Sequence, residues 1–156
     1  MLIKFCLLLL LLPSIAHSCS GYVIGFKGKE DVFNYNAFTE YANNLNYCGQ
    51  TYSWNEVASA AKHISYMNKP YHLYGYSLGA VSVKQILEIK TLRKPKFVIT
   101  IGAYKTTDVN FNQYNVKYIN YFDYSGLGQS SPGVFLNVSH DKIQREVNKI
   151  IFNQNK

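Results

Sequence analysis

A serine alcohol is a poor nucleophile until a base takes its proton, and that base must itself be held in one tautomer by an acceptor. Residues Gly75-Tyr76-Ser77-Leu78-Gly79 set a serine in the pattern G-x-S-x-G. That pattern asks for a sharp turn between a buried strand and a helix, with glycines where a Cβ would collide with the turn or with the neighbouring strand. The partners of such a serine follow it in the order Asp or Glu, then His. Beyond the signal segment described below, the histidines are His63, His72 and His140, and only His140 lies after Ser77. His63 falls on a helix before the turn and reads as a surface or boundary residue. His72 sits within the strand that leads into Ser77 and reads as a buried, hydrogen-bonded structural histidine.

The acid must lie between Ser77 and His140, which leaves Glu88, Asp108 and Asp123. Glu88 falls inside the helix after the serine and points away from the strand ends. Asp108 lies several residues past a strand, where a loop decides its position. Asp123 ends a strand directly and is favoured, with Asp108 as the alternative. Each residue also has a plain structural reading: Asp123 as a strand-end turn former and His140 as a helix-entry residue beside Asp141.

The elements that must carry these residues can be read from hydrophobic period. Gly21 to Phe26 reads as a strand, and apolar residues from Phe33 to Leu45 recur at helical spacing. A short strand is expected around Gln50 to Ser53, and a helix over Trp54 to Met67 is stopped by Asn68-Lys69-Pro70. Tyr71 to Tyr74 forms the strand before Ser77, and Leu78 to Thr91 the helix after it. Lys96 to Gly102 is the most strand-like segment of all and is expected to be buried on both faces. Strands over Val116 to Phe122 and Val134 to Val138 follow, with a Ser/Gly-rich loop, Tyr124 to Gly133, between them. A closing helix over Asp141 to Phe152 places Ile143, Val147, Ile150 and Ile151 on one face. This alternation implies βαβ units: an α/β fold with a mainly parallel sheet and helices on both faces. Ser77, Asp123 and His140 all fall where strands end, which is where such sheets gather their functional residues.

Residues 1 to 18 stand apart. Lys4, the apolar run Phe5 to Leu12 and the small residues of Ala16-His17-Ser18 read as a secretory signal peptide cut near Ser18. The run is shorter than the roughly 20 residues a spanning helix needs. Removing 18 of 156 residues leaves 138, one domain with one core, in a secreted or periplasmic setting. The mature chain then keeps Cys19 and Cys48, which an oxidising compartment would join as a disulfide at the end of the first helix. Lipidation of Cys19 is the competing reading, although Ala16-His17-Ser18-Cys19 is a poor match to a lipobox. Without Lys4 there are 15 basic residues against nine acidic, a charge of +6, which favours anionic partners or serves solubility alone. No clustered basic tract, RNA-binding aromatic motif or metal-ligand spacing is present, so neither nucleic acid nor a metal is expected. The sequence leaves oligomeric state open.

Four stretches together resemble the class 3 lipases. Phe26-Lys27-Gly28-Lys29 is similar to their Phe-Arg-Gly-Thr/Ser, Gly75 to Gly79 to their Gly-His-Ser-Leu-Gly, Val98 to Ala103 to their Val-x-Thr-Phe-Gly-Ala/Ser, and Asn120 to Asp123 to their Asn-x-x-Asp. The resemblance spans most of the mature chain and implies a compact α/β-hydrolase over residues 19–156, with Ser77, Asp123 and His140 as the triad. It further implies an oxyanion hole made by the backbone N–H groups of Leu78 and Lys29, and no cofactor. Tyr76 stands where the family has His, Lys29 where it has a hydroxyl residue, and no helical lid is evident. The expected activity is cleavage of carboxylic, including lipid, esters; a thioester or polyester substrate would use the same machinery. A second reading keeps the fold but not the chemistry, as a binding module for an anionic envelope polymer or membrane surface.

Overall fold

The computed structural model describes residues 18–29, 32–103, 107–124 and 133–153. The segment read as a signal peptide lies outside them except for Ser18, as does most of the loop after Tyr124. Among the described residues six strands and four α-helices follow in order: β1 (Gly21–Lys27), α1 (Tyr35–Asn44), β2 (Tyr47–Ser53), α2 (Val57–Tyr66), β3 (Tyr71–Tyr76), α3 (Gly79–Glu88), β4 (Phe97–Ile101), β5 (Tyr118–Phe122), β6 (Val134–Phe135) and α4 (Ile143–Asn153). The strands form one sheet in the order β2-β1-β3-β4-β5-β6, and every pairing is parallel.

Parallel strands need crossovers, and the crossovers supply a helical layer on each face. The period-2 alternation of the strands decides which side chain meets which layer. Ile24, Phe26, Leu73 and Val98 pack with Ala60 and Ile64 of α2 and Ala80, Val83 and Ile86 of α3. Their alternates Val23, Tyr74, Tyr76, Ile99 and Ile101 pack with Phe38 and Tyr41 of α1 and Ile143 and Val147 of α4.

The element boundaries differ from the sequence expectation in instructive ways. β2 begins at Tyr47, three residues earlier than its apolar content suggested, because it pairs with β1 along its whole length, from Gly21 opposite Tyr47 to Lys27 opposite Ser53. Cross-strand pairing outweighs the weak propensity of the Asn-rich approach. The disulfide joins Cys19 to Cys48 with Cα atoms 5.4 Å apart, so it ties the lead into β1 to β2 itself instead of to the end of α1. Phe33 is not on α1. It precedes the cap Asn34, whose Oδ1 accepts from the Ala37 N–H at 3.0 Å, and its ring lies 5.7 Å from that of Phe38. The two form a hydrophobic staple that sets the entry angle of the helix. β6 is only two residues long, and both Val134 and Phe135 are exposed.

The interface between α1 and α4 is more polar than the pattern of α4 suggested. Gln144 donates to the Tyr74 hydroxyl at 2.9 Å and accepts from the Asn34 N–H at 2.7 Å, and Asn148 donates to the Ala37 carbonyl at 2.7 Å. These buried amides fix the register of the two helices.

His72 is buried and its Nδ1 meets the Tyr41 hydroxyl at 3.1 Å. Burial first, and then the nearby Lys96 ammonium, push its pKa down from 6.5 to about 4. The unfolded chain therefore takes up this proton before the folded one does. The stabilisation is complete above about pH 6.5, is lost as the pH falls towards 4, and changes no further below that. The loss should not exceed about 3 kcal/mol. Urea unfolding at pH 7 and pH 4.5 is expected to show a smaller decline for His72→Gln than for the parent; equal declines would contradict this assignment.

Candidate active site

The carboxyl ends of the central strands bring the candidate residues to one edge of the sheet. Tyr76 ends β3 opposite Ile101 of β4, and Ile101 lies opposite Tyr121 of β5. Ser77 and Gly102 come next along β3 and β4, and Asp123 lies two residues past Tyr121 at the end of β5, so the three emerge at neighbouring positions. Ser77 has φ of 53°, a left-handed conformation that a non-glycine residue adopts only under constraint. Its N–H donates to the Ile101 carbonyl at 2.9 Å, and its carbonyl accepts from the Ala80 N–H at 3.2 Å as α3 begins. The flanking glycines make the turn possible. A Cβ on Gly79 would run into the Phe26 carbonyl of β1, and one on Gly75 would sit 2.9 Å from Cα of Ala80.

Asp123 is fully buried, and its Oδ2 lies 2.5 Å from Nδ1 of His140. The His140 side chain is about one-quarter exposed (26%), so the pair is dry at the acid and open at the imidazole. Nδ1 is engaged by Asp123, which leaves Nε2 as the ring nitrogen that can exchange a proton. Tyr76 holds the other side of this histidine. Its ring stacks on the imidazole with centroids 4.9 Å apart and planes 28° from parallel, and its hydroxyl donates to the His140 carbonyl at 2.9 Å. Gly102, with φ of 57°, runs directly beneath the pair: a Cβ there would lie 2.7 Å from Cε1 of His140 and 2.8 Å from Oδ2 of Asp123.

Ser77 is half-buried and Gly28 packs against it, so closely that a Cβ on Gly28 would be 2.9 Å from Cβ of Ser77 and 3.3 Å from its Oγ. Leu78 begins the helical turn with φ of −62° and ψ of −21°, and an N–H at that position has no acceptor within the helix. Lys29 follows Gly28 and is exposed. Among the described residues no hydrogen bond joins the Ser77 hydroxyl to His140.

The other carboxylates go elsewhere. Asp108 is exposed and accepts from the Asn110 N–H at 2.9 Å in its own turn, and Glu88 at the end of α3 accepts from the Tyr114 hydroxyl at 3.1 Å. His63 meets the Tyr52 hydroxyl at 2.8 Å, and His72 is the buried residue described above. Sequence reasoning missed the parts played by Tyr76, Gly28 and Gly102. The glycines did leave a signal, since both fall in the family-like stretches, and Gly102 closes the most strand-like run of the chain.

No known protein family matches the sequence, and no curated protein does either. Solved structures do match in shape. A lipase-esterase related protein from Clostridium acetobutylicum superposes with a TM-score of 0.55 at 12% identity, over 88% of this chain and 95% of that one. The chain has the α/β-hydrolase fold. YbtT, a type II thioesterase of the yersiniabactin biosynthetic pathway, gives the same TM-score at 10% identity over 91% of this chain and 94% of its own. An α/β superfamily hydrolase from Xanthomonas campestris pv. campestris also scores 0.55 at 10% identity, over 86% of this chain and 99% of that one. In this α/β-hydrolase sheet, the edge that carries Ser77, Asp123 and His140 is the edge where open α/β sheets place their ligands. What these structures share with the chain is the fold.

Proposed function

We propose that the chain is a secreted serine hydrolase that cleaves carboxylic esters through an acyl-enzyme on Ser77. The observation that carries this reading is the buried Asp123–His140 pair beside a serine held at positive φ. Ser77 Oγ attacks the ester carbonyl while its proton passes to Nε2 of His140. Asp123 keeps the proton of Nδ1 in place and stabilises the imidazolium. The N–H groups of Leu78 and Lys29 receive the developing oxyanion, where one donor is worth about 3 kcal/mol of barrier. Collapse expels the alcohol with the proton from His140, and a water activated by the same histidine releases the acid. In ligand-free sites the serine–histidine contact is commonly long and tightens when substrate is bound.

Tyr124, 62% exposed, and Phe135, 53% exposed, stand ring against ring at 6.3 Å just beyond Asp123 and offer an apolar wall for an acyl group. The thioesterase neighbour makes a thioester the first alternative acyl donor, with the same bonds broken at the carbonyl. The Cys19–Cys48 disulfide suits an oxidising compartment, and among the described residues no helix is long and apolar enough to cross a membrane.

Rapid mixing with p-nitrophenyl butyrate tests the scheme. A burst of nitrophenolate near one equivalent per chain, absent from Ser77→Ala, is the expected result. A folded chain with neither burst nor turnover towards oxygen and sulfur esters would overturn it and favour the anionic-surface binding module.

Tyr76→Phe keeps the stacked ring and removes only the hydroxyl that holds the His140 carbonyl. Turnover is expected to fall by about tenfold, with about 1 kcal/mol lost in stability. Steady-state kinetics beside urea unfolding would show whether the two losses occur together.

A further inference from the structure

The opposite edge of the sheet carries a second feature that the hydrolase scheme does not use. A cleft of about 830 Å³ opens there across the amino ends of β1 to β5. Its walls are Leu45, Tyr47, Pro70, Pro95, Phe97 and Val116, and its polar lining includes His72, Lys96 and Lys117. His72 and Ser77 are five residues apart on and beyond β3, so this cleft lies roughly 17 Å from the serine.

Three observations give the cleft a chemistry. The first is charge. Lys96 and Lys117 directly precede the adjacent strands β4 and β5, neither ammonium is paired with a carboxylate among the described residues, and none of the described lining residues is acidic. The second is the floor. His72 is more than nine-tenths buried, with the Tyr47 ring edge-on at 5.1 Å and the Phe97 ring at 5.7 Å. The third is an unanswered donor. The Tyr41 hydroxyl is buried, and Nδ1 of His72 is its one hydrogen-bond partner among the described residues. Leaving that buried O–H unmade would be costly, so Tyr41 donates to Nδ1 and the imidazole carries its own proton on Nε2. Among the described residues Nε2 has no hydrogen-bond partner and is not one of the unpartnered atoms sealed from solvent. His72 lines this cleft, which is where its free ring edge can meet a ligand.

We propose that the cleft is a second binding site, for a carboxylate attached to a flat, ring-sized apolar body. The rings of Tyr47 and Phe97 take the body, His72 Nε2–H donates to a carboxylate oxygen, and Lys96 and Lys117 neutralise the charge. The volume falls within the usual range for small-molecule sites, about 300–1,000 Å³. Neutral His72 supplies a directed donor without adding a third cation. Binding here is independent of acyl transfer at Ser77.

The test is a titration of the full-length mature chain with 2-naphthoate, followed by the ring-proton NMR signals of His72 and His140. The uncharged 2-naphthamide serves as a control of the same shape, and acetate as a control of the same charge. Saturable movement of the His72 signal by naphthoate is expected, with His140 unmoved. Naphthamide and acetate should each bind several-fold more weakly. The double variant Lys96→Gln/Lys117→Gln changes two exposed side chains and should retain the fold, while its affinity for naphthoate falls about tenfold. Absence of a saturable His72 response up to about 5 mM, movement of His140 instead, or equal binding by the double variant would each overturn the proposal.

Discussion

Asp123→Asn is expected to lower ester turnover by about 10⁴-fold in a protein that remains folded. In the parent, Oδ2 accepts from Nδ1 of His140 at 2.5 Å, which leaves Nε2 without a proton and able to receive one from Ser77. An asparagine that turns its amide towards Nδ1 donates where the carboxylate accepted. The imidazole then moves its proton to Nε2, where it can no longer act as a base. The side-chain volume hardly changes, so the fully buried site does not acquire a cavity. The kcat/KM for p-nitrophenyl butyrate and the thermal midpoint, measured together, separate the two effects. A loss below tenfold would mean that Asp123 does not orient the base.

Gly102→Ala should disturb the same pair from below. The residue has φ of 57°, and its added Cβ would approach both His140 and Asp123 to within 2.8 Å. A left-handed conformation costs an alanine about 1–2 kcal/mol. The closer contacts cannot be relieved by a flexible chain end, because one atom belongs to an imidazole stacked on Tyr76 and the other to a buried carboxylate. His140 must shift, and a displacement of about 1 Å at a reacting group costs roughly 10²-fold in rate. Turnover should therefore fall by at least that factor, with stability lower by about 2 kcal/mol. An unchanged rate would show that the imidazole tolerates displacement, and hence that its position is not what the site depends on.

How far the sequence alone reaches is visible in these residues. The G-x-S-x-G pattern identifies a turn because its two glycines answer local clashes, with α3 and with β1, that any strand–turn–helix of this kind must meet. Asp123 and His140 could be favoured because a parallel sheet puts strand ends together, so chain order and strand position stand in for distance. What lay beyond the sequence was tertiary. Tyr76 reads only as the variable position of the G-x-S-x-G pattern, where the family has His, until α4 and the loop before it bring His140 over its ring. Gly102 reads as the end of a strand until the pair is seen above it. The Gln144 and Asn148 contacts arise from the crossing of α1 and α4, helices about a hundred residues apart in the chain. The length of β2 likewise depended on its partner strand, since Cys48-Gly49-Gln50 carries little strand preference of its own.

The most direct measurement is the intact mass of the purified protein after exposure to a fluorophosphonate, beside Ser77→Ala and His140→Ala variants shown to be folded. An activated Ser77 gives one adduct per chain on the parent, none on Ser77→Ala, and far slower labelling on His140→Ala. A parent that stays unlabelled, or a Ser77→Ala variant that labels at the parental rate, would contradict the assignment of Ser77 as the nucleophile.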